Sequence, residues 1–385
     1  MSSSITKLTA QLVDIAITGE NTKAMNGDLF RCSSLEMLYP HAQRHGLMPL
    51  LYQGLHLSNL LGQVPPSIAQ KFKYAYYRTL SNNLRNLQAV EMLRNTLPFD
   101  IPLLIMKGPA LIEHIYVDPA LRPMTDIDIL VKPEHLHTLK ACLQTQHYTS
   151  PEQYPDIYIK NNVIFDIHTD PFHANRIQQR LQAVPIQIER LWQDAIPFKK
   201  TTPNLFMLSL PDQILTLSVH ALKHGYERHI WLFDILYSLK FYCQKNTWSQ
   251  IEKHCQEYNA TKILSLTLHA LQIHLAQNLP EPMLKLQKSF PIGPIRRKIL
   301  CASPLSGNFQ ILEPLVLSQQ FPKRIDQVRF LIAFAFPKPE ALQQISGLSS
   351  RFYWLSYPYR IVQLLSLGTL QLIRLVFRLM GKRSL

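Results

Sequence analysis

The chain has 385 residues, of which 46% are hydrophobic, so it is long enough for a large core and for two or three domains. With 27 prolines and 12 glycines, it has neither a collagen-like nor a low-complexity composition. Its net charge of +14 indicates attraction to polyanions such as nucleotides, nucleic acid or anionic lipid, and its five cysteines, without a CxxC pair, argue against a disulfide framework and favour a reducing, cytoplasmic setting.

The first part of the chain is predicted to be helical. Across residues 4–95, apolar residues recur at three- and four-residue spacing, which is the pattern of helices that bury one face. Gly46 and the pair Pro65-Pro66 interrupt this pattern and are predicted to separate the helices.

After Pro98 the pattern becomes that of a small α/β unit. Short apolar runs predict strands, and stretches that follow Gly108-Pro109 and Lys132 predict helices. The last strand follows an Asn-Asn turn and alternates with period two. In chain order the predicted elements are strand, helix, strand, helix and strand, at residues 101–107, 110–116, 126–131, 133–146 and 161–170.

From about Pro171 onward the prediction returns to helices, at residues 211–243, 248–276 and 311–335. The fold class is therefore α+β, with a small mixed sheet and flanking helices embedded between N-terminal and C-terminal helical regions. The predicted domain division is a helical subdomain at 1–97, an α/β core at 98–200, a helical domain at 201–340 and a basic amphipathic tail at 341–385.

The tail has a distinct composition. Residues 361–373 form an uncharged run of 13 residues, and four basic residues follow it. That run is too short to span a bilayer. As a basic amphipathic helix, residues 357–385 suit an anionic membrane surface at the inner face of the membrane, and they equally suit docking on the protein's own core or on a partner.

Acidic residues stand at two of the predicted strands. Asp126 and Asp128 are two residues apart in a strand and are predicted to project from the same face. Asp166 lies between apolar Phe165 and Ile167, where a buried charge requires a partner. Carboxylates in this arrangement can hold Mg²⁺ or Mn²⁺ against phosphate oxygens, although an Asp-x-Asp pair can also simply end a strand at the surface.

Basic and glycine residues flank these acids. Gly108 lets the backbone approach a phosphate at a helix N-terminus, and Lys107 can neutralise its charge; the alternative is a surface lysine and a turn glycine. Arg122 can bind a phosphate or pair with a carboxylate. Pro109 has no N–H and removes one phosphate donor.

Together these residues resemble the nucleotidyltransferases of the DNA polymerase β type. The stretch "MKGPALIEHIYVDPALRPMTDIDILV" (106–131) is similar to a bacterial family of uncharacterised nucleotidyltransferases, whose acid-x-His is matched by Asp166 and His168. The segment "HALKHGYERHIWLFDI" (220–235) resembles a downstream helical motif of that family.

The resemblance implies a nucleotidyltransferase sheet and the Mg²⁺-dependent transfer of a nucleoside monophosphate from an NTP to an acceptor. Metal ligation and catalysis are then expected at Asp126, Asp128 and Asp166, and nucleotide binding at Lys107, Gly108 and Arg122. Contacts to the acceptor or the base are expected at five residues, which are His168, His220, His224, Arg228 and Asp234.

Alternatives remain open for several of these residues and for the function. His220 and His224 have a spacing that can ligate a metal but also suits helix packing, and Arg228 and Asp234 can form an ion pair between helices. The acceptor is a small molecule, a sugar, a protein or RNA, and no zinc finger or RNP-type motif indicates sequence-specific DNA binding. The alternative function is a catalytically idle module that binds nucleotides or other polyanions.

Overall fold

The structure is a computed structural model that describes residues 3–20, 35–116, 118–172, 180–199, 201–244, 248–306 and 312–338, with 342, 355, 357–363 and 365–366. Four helices precede the sheet: α1 (Ser3–Thr18), α2 (Leu35–His45), α3 (Met48–Leu57) and α4 (Pro66–Thr96). Gly46 lies between α2 and α3 with a φ of 73°, and α4 begins at Pro66. The described part of residues 4–95 is thus helical, as predicted.

A six-stranded mixed sheet forms the centre of the fold. Its strands are β1 (Leu103–Ile105), β2 (Ile127–Leu130), β3 (Ile157–Lys160), β4 (Val163–His168), β5 (Ile196–Pro197) and β6 (Leu205–Met207). Their order across the sheet is β3-β4-β2-β1-β6-β5. The pairs β2–β4 and β1–β6 are parallel, and the other neighbouring pairs are antiparallel.

The two faces of the sheet bury different cores. Ile127, Ile129 and Phe165 pack on one face with the C-terminal part of α4 and with a helix after β2, α6 (Leu136–Thr145). On the other face, Leu104 and Leu130 belong to the larger core of the helical regions. Because side chains alternate along a strand, residues 128 and 166 project toward the larger helical core.

The elements from β1 to β4 follow the predicted order of strand, helix, strand, helix and strand, except that β3, which the sequence does not predict, precedes β4. β1 leads into the short α5 (Lys107–Leu111), which continues as a π-helical turn at Ile112–Tyr116. α6 is preceded by a 3₁₀ turn at Pro133–His135. Asn161 and Asn162 both have positive φ and form the two-residue turn between β3 and β4, which is the conformation that favours Asn in tight hairpins.

Twelve helices beyond α4 are described, of which α5 and α6 belong to the sheet connections. The remaining ten are α7 (Arg180–Ala183), α8 (Ile188–Gln193), α9 (Leu210–Lys223), α10 (His229–Gln244), α11 (Trp248–Glu257), α12 (Thr261–Leu275), α13 (Glu281–Ser289), α14 (Pro294–Ser306), α15 (Leu312–Ser318) and α16 (Arg324–Ala335).

The α+β fold class is confirmed, but two details of the prediction for the chain after Pro171 are wrong. The chain after Pro171 is not only helical, because β5 and β6 extend the sheet beside β1. Each of the three long predicted helices is two helices, with breaks between α9 and α10, α11 and α12, and α15 and α16. At the first two breaks Tyr226 and Asn259 have positive φ, a conformation that ends a helix.

The domain division stays a prediction, and β6 lies beyond its boundary at residue 200 while pairing with β1. None of the helices in the described ranges is both long and apolar enough to cross a bilayer. The predicted interfacial helix at 357–385 falls largely outside the described residues, which include only 357–363, 365 and 366 of it.

The crossing of α1 and α3 generates a stability prediction. A Cβ added at buried Gly54 would overlap the backbone of Leu12 in α1, so we expect Gly54→Ala to lower the free energy of unfolding by roughly 1–3 kcal/mol. Gly62→Ala is the matched control, since a Cβ there meets nothing within 4 Å. Urea unfolding followed by circular dichroism would measure both, and equal stabilities of the two variants would contradict this packing.

Candidate active site

Asp128 and Asp166 lie side by side on the parallel strands β2 and β4. Their Cα positions are paired in register, and Leu130 and His168 form the pair two residues further on. Asp128 is buried and the Asp166 side chain keeps 22% of its surface exposed. Strand pairing therefore places two carboxylates at neighbouring positions on the face that meets the helical regions.

His168 and Lys107 complete this group of charges. Lys107 Nζ lies 2.5 Å from Asp128 Oδ1. His168 Nε2 lies 3.1 Å from the same oxygen and 3.4 Å from Asp166 Oδ2. The ligand atoms of Asp128, Asp166 and His168 all lie within 4.8 Å of one another, a spacing that allows them to bind one cation together.

The electrostatic environment shifts the pKa values of the two carboxylates in opposite directions. Burial raises the pKa of Asp128, but Lys107 and His168 outweigh burial and hold that pKa well below its usual value. Burial also lowers the pKa of Lys107, yet the carboxylates of Asp128, Asp126 and Asp166 outweigh it and raise the pKa overall. The pKa of Asp166 is raised, first by burial and then by the charge of Asp128. Nearby cations therefore compensate the negative charge of Asp166 less fully than that of Asp128.

Asp126 occupies a different place from the one expected for the first acid of a metal pair. It precedes β2, it is partly buried, and it accepts a hydrogen bond of 3.0 Å from Thr125 Oγ1. It lines the same cavity as Asp128. Its carboxylate does not belong to the group that Asp128 and Asp166 form with His168. The third member of the group around the two strand acids is therefore His168.

The cavity beside these acids has a volume of about 770 Å³. Residues of α4, of the loop before β2 and of α10 enclose it together with the start of α5. Its polar lining consists mainly of cations and amides, which are Arg78, Lys107, Arg122, Arg228, Asn82, Asn83, Asn86 and Asn162. Lys107 and Arg122 pair with Asp128 and Asp234, and Arg78 and Arg228 add positive charge that suits this cavity to a polyanion.

Lys107 and Gly108 both line the cavity, and the backbone there is unusual. Lys107 has a φ of 51°, a left-handed conformation that is uncommon for a residue with a side chain. A Cβ on Gly108 would lie 3.0 Å from Met124 Cβ and Sδ. The glycine is therefore required by the close approach of the loop before β2, in addition to any contact it makes with a ligand.

Arg122 pairs with a carboxylate, which is one of its two sequence alternatives, and its binding of a phosphate stays a prediction. Its Nη2 lies 2.7 Å from Asp234 Oδ2, and its Nε lies 3.3 Å from Asp234 Oδ1. Tyr116 donates a hydrogen bond of 2.7 Å to the same carboxylate. Asp234 is fully buried, so this ion pair joins the loop before β2 to α10, and Asp234 partners a side chain of the cavity wall.

His220, His224 and Arg228 gather around Trp231. The two imidazole rings lie 4.8 Å apart and about 5 Å from the indole ring, and the Arg228 guanidinium lies 5.6 Å from it. Burial and the nearby Lys107 hold the pKa of His220 well below its usual value, and burial and Lys223 lower that of His224 to about 4. His220 lines the cavity with Trp231 and Arg228, whereas His224 packs behind them.

The sequence prediction does not include the polar face of α4. Thr79, Asn83 and Asn86 are buried on this helix, and Asn83 donates hydrogen bonds to the backbone carbonyls of Pro119 and Arg122. Asparagine is a poor helix former, so asparagines at helical spacing inside a long helix were the available signal for a polar surface at this position.

Comparison with known proteins identifies one family. The family model described as "Uncharacterised nucleotidyltransferase" matches residues 33–276. Its matched range includes all six strands and every residue singled out above. Searches of curated proteins and of solved structures returned no match.

The ion pair between Arg122 and Asp234 generates a stability prediction. Removing one buried partner leaves an uncompensated charge, so we expect Arg122→Met to lower the free energy of unfolding by about 3–5 kcal/mol. In the double variant Arg122→Met/Asp234→Asn the buried charge is gone, and we expect much of that loss to be recovered.

Urea unfolding of the two single variants and the double variant would measure the coupling. The partly exposed pair of Lys140 and Asp156 provides a matched control cycle, for which we expect a coupling of at most about 1 kcal/mol. Equal couplings in the two cycles would show that Arg122 and Asp234 do not hold the loop before β2 against α10.

Proposed function

Because the chain belongs to the uncharacterised nucleotidyltransferase family, we propose that it transfers a nucleoside monophosphate from an NTP to an acceptor in the 770 Å³ cavity. The acceptor atom attacks the α-phosphorus, the bond to the β-phosphate oxygen breaks, and pyrophosphate leaves. The observation that carries this proposal is the register of β2 and β4, which pairs Asp128 with Asp166 beside a cavity lined with cations.

The donor set at this position fits a divalent cation. Two carboxylates and one imidazole have ligand atoms within 4.8 Å of one another, and Asp166 has a raised pKa that an additional cation would lower. We therefore propose Mg²⁺ or Mn²⁺ as the cofactor, held by Asp128, Asp166 and His168, with Asp126, which lines the same cavity, as a further candidate ligand. When bound, the ion neutralises phosphate charge and polarises the phosphorus that is attacked.

The protein's own side chains have separate tasks in this proposal. Arg78 and Arg228 supply positive charge for the triphosphate from two sides of the cavity, and Lys107 adds charge at the acids. Arg122 is already neutralised by Asp234, so it shapes the wall more than it binds phosphate. We assign the proton of the acceptor group to Asp166, because its side chain is 22% exposed toward a reacting group whereas that of Asp128 is 5% exposed.

A second candidate function is a catalytically idle binder of nucleotides or other polyanions. The close contact between Lys107 Nζ and Asp128 Oδ1, at 2.5 Å, favours it because an ammonium group there takes the position in which a cation would bind the carboxylate. In this alternative, the cations of the cavity bind the triphosphate and no transfer follows.

The two functions differ in turnover. With each labelled NTP, Mg²⁺ or Mn²⁺ and a pool of small-molecule, sugar, protein and RNA acceptors, we expect the wild-type chain to label an acceptor and release pyrophosphate. Asp128→Asn and Asp166→Asn should each reduce that rate by at least about 100-fold, since each removes a charge that acts on the reacting groups.

Asp156→Asn is the matched control, because Asp156 is a partly exposed acid that pairs with Lys140 outside the cavity. Nucleotide binding without turnover by the wild-type chain would support the idle binder. Wild-type rates in the Asp128 and Asp166 variants would refute the assignment of the site.

We also propose that the tail contacts an anionic membrane surface, which would place this protein at the inner face of a membrane in the cytoplasm. The described part of the tail is helical and exposes apolar side chains, among them Ile361, Val362 and Leu365. Arg374, Arg378, Lys382 and Arg383 follow in the sequence, and basic residues next to an apolar helix attract anionic lipid.

Deletion of residues 357–385 tests this contact. We expect the full chain to sediment with phosphatidylserine-containing vesicles at low salt, and we expect the truncated chain to remain in the supernatant. Neutral phosphatidylcholine vesicles are the control, because they lack the negative charge that attracts the basic residues. Equal sedimentation of both chains would show that the tail has no part in membrane binding.

A further inference from the structure

Four histidines from three helices meet inside the helical part of the protein. His41 and His45 lie four residues apart on α2, His229 begins α10, and His274 lies near the end of α12. All four are buried, with 1–7% of their surface exposed. Histidine is usually only intermediate in burial, so four buried imidazoles in one place require a physical reason.

The imidazoles are close enough to share one ion. The ligand nitrogens of His41, His45 and His229 all lie within 4.8 Å of one another. The His41 ring centre lies 4.5 Å from that of His45 and 5.2 Å from that of His229. The His274 ring centre lies 5.7 Å from that of His229, so His274 lies beside this group of three but is not part of it.

Several of these nitrogens are buried without a hydrogen-bond partner in the structure. They are both ring nitrogens of His41 and the Nε2 atoms of His229 and His274. A buried polar atom without a partner costs free energy, and such atoms in native proteins commonly mark a site for an ion or water. The free nitrogens belong to three different helices and occur within a single group of rings.

Backbone carbonyls orient two of the four rings. His45 donates a hydrogen bond from Nδ1 to the Glu227 carbonyl at 3.1 Å, and the Leu300 carbonyl accepts one from the His274 ring. The Nε2 atom of each ring is thereby left with a lone pair. Metal-binding histidines typically donate their other ring N–H to a carbonyl or carboxylate in this way.

The environment keeps these rings neutral, which is the form that binds metal. Burial, followed by the charge of Arg44, lowers the pKa of His41 to about 4. Burial and the neighbouring His41 lower the pKa of His45 to about 3. The group formed with His229 contains imidazoles and no carboxylate, a donor set that suits Zn²⁺, Ni²⁺, Cu²⁺ or Co²⁺ and not Mg²⁺.

We propose that His41, His45 and His229 bind one transition-metal ion of the zinc class, with His274 as the fourth nitrogen ligand. The ion fastens α2 to α10 and α12, and four protein ligands make it a closed structural site. It differs from the proposed catalytic site in residues and in donor chemistry, so it does not depend on the proposed function.

Metal binding requires a small rearrangement of two rings. The imidazoles of His45 and His229 are stacked, with centres 3.7 Å apart and an angle of 8° between their planes. Parallel rings cannot both direct in-plane lone pairs at one ion about 2.0–2.1 Å from each nitrogen. One of the two rings therefore turns when the ion binds, and the stack is lost.

The full chain, expressed without a histidine tag and freed of metal by dialysis, tests the site directly. Titration with Co²⁺ should produce the visible absorption of tetrahedral nitrogen coordination, and the change in that absorption should correspond to one ion per chain. Zn²⁺ should displace Co²⁺ and raise the melting temperature, and elemental analysis should find one tightly bound ion. Absence of a stoichiometric tight site in the wild-type chain would overturn the proposal.

Substitution of single histidines tests which of them bind the ion. His41→Gln and His229→Gln should each weaken Zn²⁺ binding by at least about 100-fold. Removing a metal ligand lowers the affinity for the ion more than removing the hydrogen bond that supports the ligand. Both should also lose the thermal shift with Zn²⁺ while keeping a wild-type circular dichroism spectrum. His56→Gln and His137→Gln remove exposed histidines and should bind as the wild type does.

The pair at His220 and His224 and the proposed catalytic group of Asp128, Asp166 and His168 are the competing explanations for any metal binding. An Asp128→Asn variant should keep the tetrahedral Co²⁺ spectrum. A His220→Gln/His224→Gln variant should keep the Co²⁺ spectrum. Loss of binding in that variant, with retention in His41→Gln and His229→Gln, would refute the site proposed for α2, α10 and α12.

Discussion

The need to compensate two carboxylates on one buried face of a sheet governs the centre of this protein. Once β2 and β4 pair in parallel register, Asp128 and Asp166 are held side by side on the face that meets the helical core. Like charges at that distance are unfavourable unless cations lie near them. Lys107 reaches Asp128 from a left-handed backbone position, and His168 lies against both acids.

Asp166 remains the carboxylate with incomplete compensation, and the proposed chemistry develops from that imbalance. Lys107 and His168 stabilise the charge of Asp128 so strongly that its pKa falls, whereas that of Asp166 rises. The same arrangement supports both transfer and idle binding, because a lysine and a metal ion can each neutralise Asp128. Turnover therefore depends on whether an ion can compete with Lys107 for that carboxylate.

Two buried polar groupings fix the position of α10. Arg122 and Asp234 join the cavity wall to α10, and the four buried histidines bring together α2, α10 and α12. Both groupings use α10, whose first residue is His229. Helices that pack only through apolar side chains can slide against one another, whereas paired polar groups favour one arrangement.

The sequence alone determined the α+β class, three of the six strands and the acids on two of them, because alternation and helical spacing are local properties of the chain. It did not predict β3, β5 and β6, which have only two to four residues each. The partner of Arg122, the association of His168 with Asp128 and the meeting of His41 with His229 were decided by the tertiary structure. Each joins residues at least 40 positions apart, and only the packing of the sheet against the helices brings such residues together.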